Sequence, residues 1–286
     1  MKNIFLCIVI LSLISHSIAQ DENNLVLNPS FESMDGKLKK LKQINIAKEW
    51  DSPTALKADL YSTEKESPVS APLNLHGKEF PMDGENYAGI VHYSYNNKEP
   101  RTYLQTELVS PLSGGLEYCV KFHVSLSDLS KYAANNLSAY FGKEPLFLEG
   151  KGDIIFQKDK EFEHVVLNFE NKIYNARYNW STVCSVYKAS GKEAYLTIGN
   201  FYNNKDTKYE KLKKLDGFTG TQQALAYYYV DQVEVFLIED LSDCDCSRQM
   251  NNANNEAVIY HKDYVREDGK YTVNELINMG TVYFDV

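Results

Sequence analysis

What the chain lacks narrows the problem first. Eight prolines and fifteen glycines among 286 residues leave no room for a collagen-like or low-complexity chain. Lysine and arginine number 30 against 39 aspartates and glutamates, a formal net charge of −9, which excludes a broad cationic surface for nucleic acid. An acidic partner would need a local basic patch. No apolar run reaches the ~20 residues of a membrane-spanning helix, so no transmembrane segment is expected. Catalytic signatures are missing as well: there is no G-x-S-x-G elbow, H-E-x-x-H pair, P-loop or G-x-G-x-x-G turn. What the sequence has in excess is rings, 21 tyrosines and 13 phenylalanines, a composition that favours strands.

Residues 1–19 read as a secretory signal peptide. Lys2 supplies the positive start, Ile4 to Ile14 is apolar, and Ser17-Ile18-Ala19 offers a small-x-small cleavage site before Gln20. No cysteine follows the cleavage point to carry a lipid, and Cys7 leaves with the signal. The chain is therefore expected to be exported. Four cysteines remain, Cys119, Cys184, Cys244 and Cys246. Cys244 and Cys246 are too close in sequence to bridge each other comfortably, leaving either two cross-links or a Cys119–Cys184 bond with the C-x-C pair separate. Disulfides are favoured over zinc, because the spacing is not C-x₂₋₄-C and no histidine pair accompanies it.

From Asn24 to Asp240 short strand-like runs alternate with turns. They are Leu25–Phe31, Tyr87–Tyr95, Thr102–Val109, Tyr118–Ser125, Leu137–Phe141, His164–Phe169, Thr182–Tyr187, Ala194–Ile198 and Ala226–Ile238. In Tyr118–Ser125, Tyr118, Val120, Phe122 and Val124 alternate with polar residues, the period of a half-buried strand. Tyr227-Tyr228-Tyr229 should place rings on both faces of a strand. The fold class expected is all-β, a two-sheet antiparallel sandwich over residues 20–240. Lys151–Glu163 and the lysine-bearing Asn203–Gln223 read as solvated loops. Residues 241–275 read as a linker.

The same residues carry a resemblance. Asn24-Leu25-Val26-Leu27-Asn28-Pro29-Ser30-Phe31-Glu32 followed by Trp50 resembles the opening of carbohydrate-binding modules with a galactose-binding-like jelly roll. Gln105 ahead of Leu112-Ser113-Gly114-Gly115-Leu116-Glu117-Tyr118, then Trp180-Ser181-Thr182-Val183 and Tyr228-Tyr229-Val230-Asp231-Gln232-Val233, match later strands in order. Asp51-Ser52-Pro53-Thr54, Ala58-Asp59-Leu60, Asn86-Tyr87-Ala88-Gly89-Ile90, Ser125-Leu126-Ser127-Asp128 and Leu196-Thr197-Ile198-Gly199-Asn200-Phe201 resemble the N-terminal domain of OmpA-family outer-membrane proteins of Bacteroidetes-type bacteria. Residues 276–286, with Ile277-Asn278-Met279-Gly280-Thr281, look like the first strand of a truncated OmpA-like domain, whose peptidoglycan-binding residues would lie beyond Val286.

The resemblance implies a non-catalytic envelope binding module, outer membrane-associated in the periplasm or at the cell surface, with an envelope glycan or an outer-membrane protein as partner and peptidoglycan reached only through sequence beyond Val286. A structural protein-binding subunit of an outer-membrane assembly and a secreted glycan-active hydrolase are the alternatives. It also implies a structural Ca2+ held by Glu32 and Asp231, with the Ser30 carbonyl as a third ligand and Asp59 as a further candidate, all hard oxygen donors. Trp50 and Trp180 occupy core positions in that family. For ligand contact the expected rings are Tyr93, Tyr95 and Tyr202, each close to paired asparagines at a strand end.

Overall fold

A computed structural model describes residues 23–246, apart from 158, 169, 217–219 and 245. These residues form one compact unit. The signal peptide and the OmpA-like start therefore lie outside the described residues. No helix among those residues is long and apolar enough to cross a membrane.

The strands in chain order are β1 Trp50–Asp51, β2 Asp59–Ser62, β3 Leu73–Asn74, β4 Gly77–Lys78, β5 Asn86–Ser94, β6 Leu104–Glu107 and β7 Glu117–Leu126. They continue with β8 Tyr132–Ala134, β9 Ser138–Gly142, β10 Val165–Leu167, β11 Ser181–Lys188, β12 Tyr195–Gly199, β13 Tyr209–Lys211 and β14 Leu225–Leu237. One four-residue helix, α1 Asp159–Phe162, and short 3₁₀ turns complete the set. Two five-stranded sheets, ordered β1-β6-β12-β9-β10 and β11-β7-β14-β5-β2, face each other, and the strand pairs within them are antiparallel. This is an all-β jelly-roll sandwich, as composition and alternation lead one to expect.

The core between the sheets takes one side of each strand: Val120, Phe122 and Val124 from β7, Ala88 and Ile90 from β5, Leu196 and Ile198 from β12, Ala139 and Phe141 from β9. The long strand β14 shows how the sequence chooses its faces. Ala226, Tyr228 and Val230 point inward, whereas Leu225, Tyr227 and Tyr229 pack on the outer side with Tyr61 and Tyr87. A register shift then falls between Asp231 and Glu234, where Gln232 adopts a positive φ of 46°. The extra residue inverts the parity, so Val233 and Val235 also turn inward. Inside the core, the Tyr228 hydroxyl accepts from the Ala134 amide at 2.9 Å and donates to the Tyr174 carbonyl at 2.7 Å, so its burial leaves no unmet polar group.

Three expectations need correction. Leu25–Phe31 is not a strand: positive φ at Asn28 and Phe31 breaks it, and it joins the sandwich through a single bridge, Val26 to Leu108, and individual backbone bonds. Those bonds still tie the start of the described chain to its end, with Leu25 N donating to Val235 O at 2.7 Å and Val233 N to Pro29 O at 3.0 Å. Lys151–Glu163 is not merely solvated, because Phe156 is buried and stacks on Phe201 at 4.8 Å, covering the outer side of the first sheet. Trp180 sits outside the core, half-buried against Tyr87, while Trp50 is buried on Phe31 at 4.8 Å as expected.

The cysteines form two cross-links, Cys119–Cys244 and Cys184–Cys246. Their anchors sit on the neighbouring strands β7 and β11, and both members of the C-x-C pair follow β14. Each bond closes a long loop, of sequence separation 125 and 62, so each removes considerable freedom from the unfolded chain. Reduction under native conditions should therefore lower the stability by roughly 2–4 kcal/mol per bond. Urea midpoints with and without reductant measure this, and non-reducing peptide mapping should recover the Cys119–Cys244 and Cys184–Cys246 pairs.

Candidate functional site

One end of the sandwich gathers the chemistry suited to a polar, ring-bearing ligand. β12 runs out at Gly199, and the chain turns through Phe201, Tyr202 and Asn203 into a short 3₁₀ turn at Asn204–Asp206. Opposite it lie Asn135 and Asn136, between β8 and β9, and Asn171, after β10. Between them opens a cleft of about 600 Å³, floored by Phe156, Phe162 and Tyr202. Its rim is polar: Asn135, Asn136, Asn171, Asn203 and Gln157, with Glu170, Asp206 and Lys208. Rings under amides suit a sugar, whose C–H faces pack on aromatics while its hydroxyls pair with side-chain amides.

The rim is held rigidly. Asn136 adopts a positive φ of 65°; its backbone amide donates to Asn171 Oδ1 at 2.9 Å and its side-chain oxygen accepts from Asn171 Nδ2 at 2.8 Å. The Asn136 side-chain amide also donates to the Asp206 carbonyl at 3.1 Å. Lys208 N donates to Asn135 Oδ1 at 2.8 Å. Beneath the Tyr202 turn lies Arg101, 1% exposed, whose guanidinium donates to the carbonyls of Asn200 and Tyr202 and to Asn204 Oδ1, with Asp153 3.5 Å from its Nε. The buried guanidinium fork, bonded to two main-chain oxygens and one side-chain oxygen, fixes the turn that presents Tyr202.

Of the rings expected from sequence, Tyr202 lies in this cleft against Phe162, at 4.7 Å. Tyr93 and Tyr95 do not line it. They join Tyr132 and Tyr209 in a separate cluster, Tyr93 stacked on Tyr209 at 5.1 Å and Tyr95 on Tyr132 at 5.3 Å. Burial and its three ring neighbours push the Tyr93 hydroxyl up to about 12. Phe156 and Phe162 escaped sequence reading because they sit in a charged stretch; their spacing from Tyr202 gives no local signal. The asparagine pair 203–204 was legible as a strand-end rim, whereas Asn135, Asn136 and Asn171 were not.

The oxygen cluster expected to hold calcium is assembled in part. The bulge at Gln232 turns Asp231 toward the loop ahead of β5, where its Oδ2 accepts from Met82 N at 2.9 Å and Asp83 N at 3.2 Å. Glu32 Oε1 accepts from Glu85 N at 3.0 Å and Asn86 N at 2.9 Å on the same loop. Ser30 Oγ donates to Asp83 Oδ2 at 3.3 Å. Gly84 makes the approach feasible: a Cβ there would fall 2.5 Å from the Glu32 carboxyl carbon. Burial raises both acids above their ordinary values, and neighbouring carboxylates add to the rise, Asp83 and Glu85 at Glu32 and Glu32 itself at Asp231.

Asn86, 2% exposed, donates to Phe31 O and Glu32 Oε2 while its Oδ1 has no hydrogen-bond partner. No lysine or arginine lies within 4 Å of Glu32, Asp83 or Asp231 among the described residues. An oxygen-only set with an unmet buried acceptor and uncompensated acids fits a hard cation. Among the described residues the group of side chains gathered closely enough to hold a metal is the four cysteines, which are paired as disulfides, so Glu32, Asp83 and Asp231 do not by themselves form such a group. Asn86 and backbone carbonyls would have to complete the shell. Asp83, in the Asp-Gly turn before β5, is the member that sequence reading missed. Asp59 stands apart from this set: it accepts from Lys42 N and from the Tyr227 hydroxyl, both at 2.6 Å.

The histidines serve packing. His92 is buried, its Nε2 paired with the Asn135 carbonyl at 2.8 Å, and desolvation pushes it down to about 3. His123, expected on the polar side of β7, is 8% exposed, and burial lowers it too.

No protein-family model and no curated protein matches the chain. Among solved structures it resembles the CBM22-1 xylan-binding domain from Paenibacillus barcinonensis Xyn10C, at 10% identity over 74% of this chain and 92% of that one, with a TM-score of 0.38. It also resembles the K2 cleaved adhesin domain of Lys-gingipain, at 11% identity over 74% and 97%, TM-score 0.33. A third is the N-terminal cellulose-binding domain from Cellulomonas fimi beta-1,4-glucanase C, at 9% identity over 67% and 90%, TM-score 0.31. The likeness is loose at these values, and the ligands of those three domains are their own.

Arg101→Met should cost roughly 3 kcal/mol by leaving Asp153 and the Tyr202-turn carbonyls without their partner. Denaturant unfolding of the variant checks this.

Proposed function

We propose that the chain is an exported, non-catalytic binding module whose ligand is a glycan, taken up in the Tyr202 cleft. The observation that carries this reading is the cleft itself, with Phe156, Phe162 and Tyr202 set beneath a rim of four asparagines and a glutamine. Export is supported by the Lys2-to-Ala19 pattern, and association with the outer membrane by the likeness of residues 277–286 to the start of an OmpA-like domain. In this reading a following domain tethers the module to peptidoglycan.

A second reading, a structural subunit that binds protein in an outer-membrane assembly, is favoured by one feature of the strap over the second sheet. There Asn74, His76 and Glu79 turn inward, whereas Leu73, Leu75, Phe80 and Met82 are 62, 53, 58 and 40% exposed. Alternation of this sense puts apolar side chains in water where a protein surface could cover them.

Glycan arrays of the mature chain separate the two. Tyr202→Ala should weaken glycan binding by about tenfold or more, the equivalent of ~1.4 kcal/mol, whereas Phe80→Asp should leave it unchanged. The opposite pattern, with pull-down of an envelope protein abolished by Phe80→Asp, would replace the first reading by the second. Product release from an envelope polysaccharide would establish a glycan-active enzyme instead.

We infer further that Glu32, Asp231, Ser30, Asp83 and Asn86 Oδ1 hold a structural Ca2+. The ion would neutralise buried acids and pin the start of the sandwich to its last strand. Without it, the raised acids favour folding only in their protonated forms. Their contribution is present below the ordinary carboxylate range and is lost as the pH rises through their raised values. Calcium should therefore raise the melting temperature most near about pH 7.5 and progressively less toward about pH 5, where protons compete for the same oxygens. A melting curve indifferent to EDTA at neutral pH, in wild type and in Glu32→Ala alike, would remove the site.

A further inference from the structure

A two-stranded ribbon lies beside the cleft. β13 pairs with β8 so that Tyr209 lies opposite Ala134, Glu210 opposite Ala133 and Lys211 opposite Tyr132. Directly opposed residues of an antiparallel pair share a face, and successive residues alternate. Tyr209, Lys211 and Tyr132 therefore stand on one face, and Glu210 on the other, where it accepts from Asn175 Nδ2 at 3.0 Å. The tyrosine face is completed by Tyr93 and Tyr95. Tyr93 and Tyr132 are buried, whereas Tyr95 and Tyr209 remain 36 and 45% exposed.

The ribbon is continuous with the cleft. Lys208, the residue before β13, lines the cleft, and Asn135 N donates to the Lys208 carbonyl at 3.0 Å. Lys205, Lys208, Lys211, Lys213 and Lys214 are all exposed, and among the described residues none has a carboxylate within 4 Å. On a chain of net charge −9, this is a local group of cations without internal partners, interleaved with exposed rings. Such a pairing suits a polymer that offers ring faces for Tyr95 and Tyr209 and anionic groups for the lysines.

We propose that the ligand is an acidic polysaccharide, running from the Tyr202 cleft across β13, with its anionic groups on Lys208 and Lys211 and its sugar rings on Tyr209 and Tyr95. This rests on the glycan reading above. A nucleic acid, which also combines rings and anions, carries about one charge per 1.7 Å as a duplex and meets a chain of net negative sign, so the sugar polymer is favoured.

The test is affinity electrophoresis of the mature chain through gels holding polygalacturonate, dextran sulfate, neutral xylan or single-stranded DNA, repeated in solution at rising salt. Wild type should be retarded by the acidic glycans more than by xylan, and that difference should shrink steeply between about 0.05 and about 0.5 M NaCl. The double variant K208A/K211A should lose about tenfold for the acidic glycans, roughly threefold per lysine, and K211A alone, whose lysine lies outside the cleft lining, should lose about threefold for them while its retardation by xylan stays at the wild-type value. Lys188→Ala, on β11, is the control and should change nothing. Circular dichroism confirms the fold of each variant.

Equal, salt-independent binding of xylan and polygalacturonate, or an unchanged K208A/K211A, overturns the acidic-ligand inference and leaves the glycan module standing. Retardation by DNA equal to that by acidic glycan overturns it in favour of a nucleic-acid partner. Binding to no glycan overturns both it and the reading on which it rests.

Discussion

The fold turns on one irregularity in its longest strand. β14 runs thirteen residues between β5 and β7 and supplies side chains to both of its faces. A regular strand could not put Val230 and Val233 into the same core, because an odd separation sends side chains to opposite sides. The bulge at Gln232 resolves this, and in doing so it leaves Asp231 directed at the loop before β5. Core continuity and the placing of a buried acid thus follow from the same extra residue. That acid in turn organises the 82–86 loop through backbone amides, and Glu32 reaches the same loop from the start of the chain. A sandwich closed in this way needs no regular first strand, and Leu25–Phe31 does not provide one.

The runs that the sequence disclosed well were the longer ones, rich in β-branched and aromatic residues. β5, β7, β9, β11, β12 and β14 fall within a residue or two of their expected bounds because Val, Ile, Tyr and Phe alternate along them. Two- and three-residue strands such as β3, β8 and β13 carry too few residues for any period to register. Leu25–Phe31 shows the opposite failure: its apolar pattern is strand-like, but Asn28 and Phe31 take positive φ to wrap Trp50 and to deliver Glu32. Tertiary demand overrode local preference there.

The site was less legible than the fold. Tyr202 could be singled out by its asparagine neighbours, yet the floor it shares with Phe156 and Phe162 depends on a charged segment folding back over the first sheet, and no pattern in Lys151–Glu163 announces that. Tyr93 and Tyr95 were expected at a rim, but Tyr93 is buried, and the two rings pack beside Tyr132 and Tyr209 rather than Tyr202. Chain-distant rings meet because β8 and β13 pair across a long connection, information held in topology and not in spacing. The lysines of Asn203–Gln223, which read as solvated, are exposed; what the sequence could not say is that Glu210 turns away from them.

The two disulfides bear on how the unit would respond to mechanical load. Both are made by the last residues of the sandwich, and both end on β7 and β11 rather than on β14. Tension applied beyond Cys246 would pass through covalent bonds into two adjacent strands of one sheet and share the strain between them. Peeling β14 away one hydrogen bond at a time, the easy way to unzip a terminal strand, is barred until those bonds are reduced.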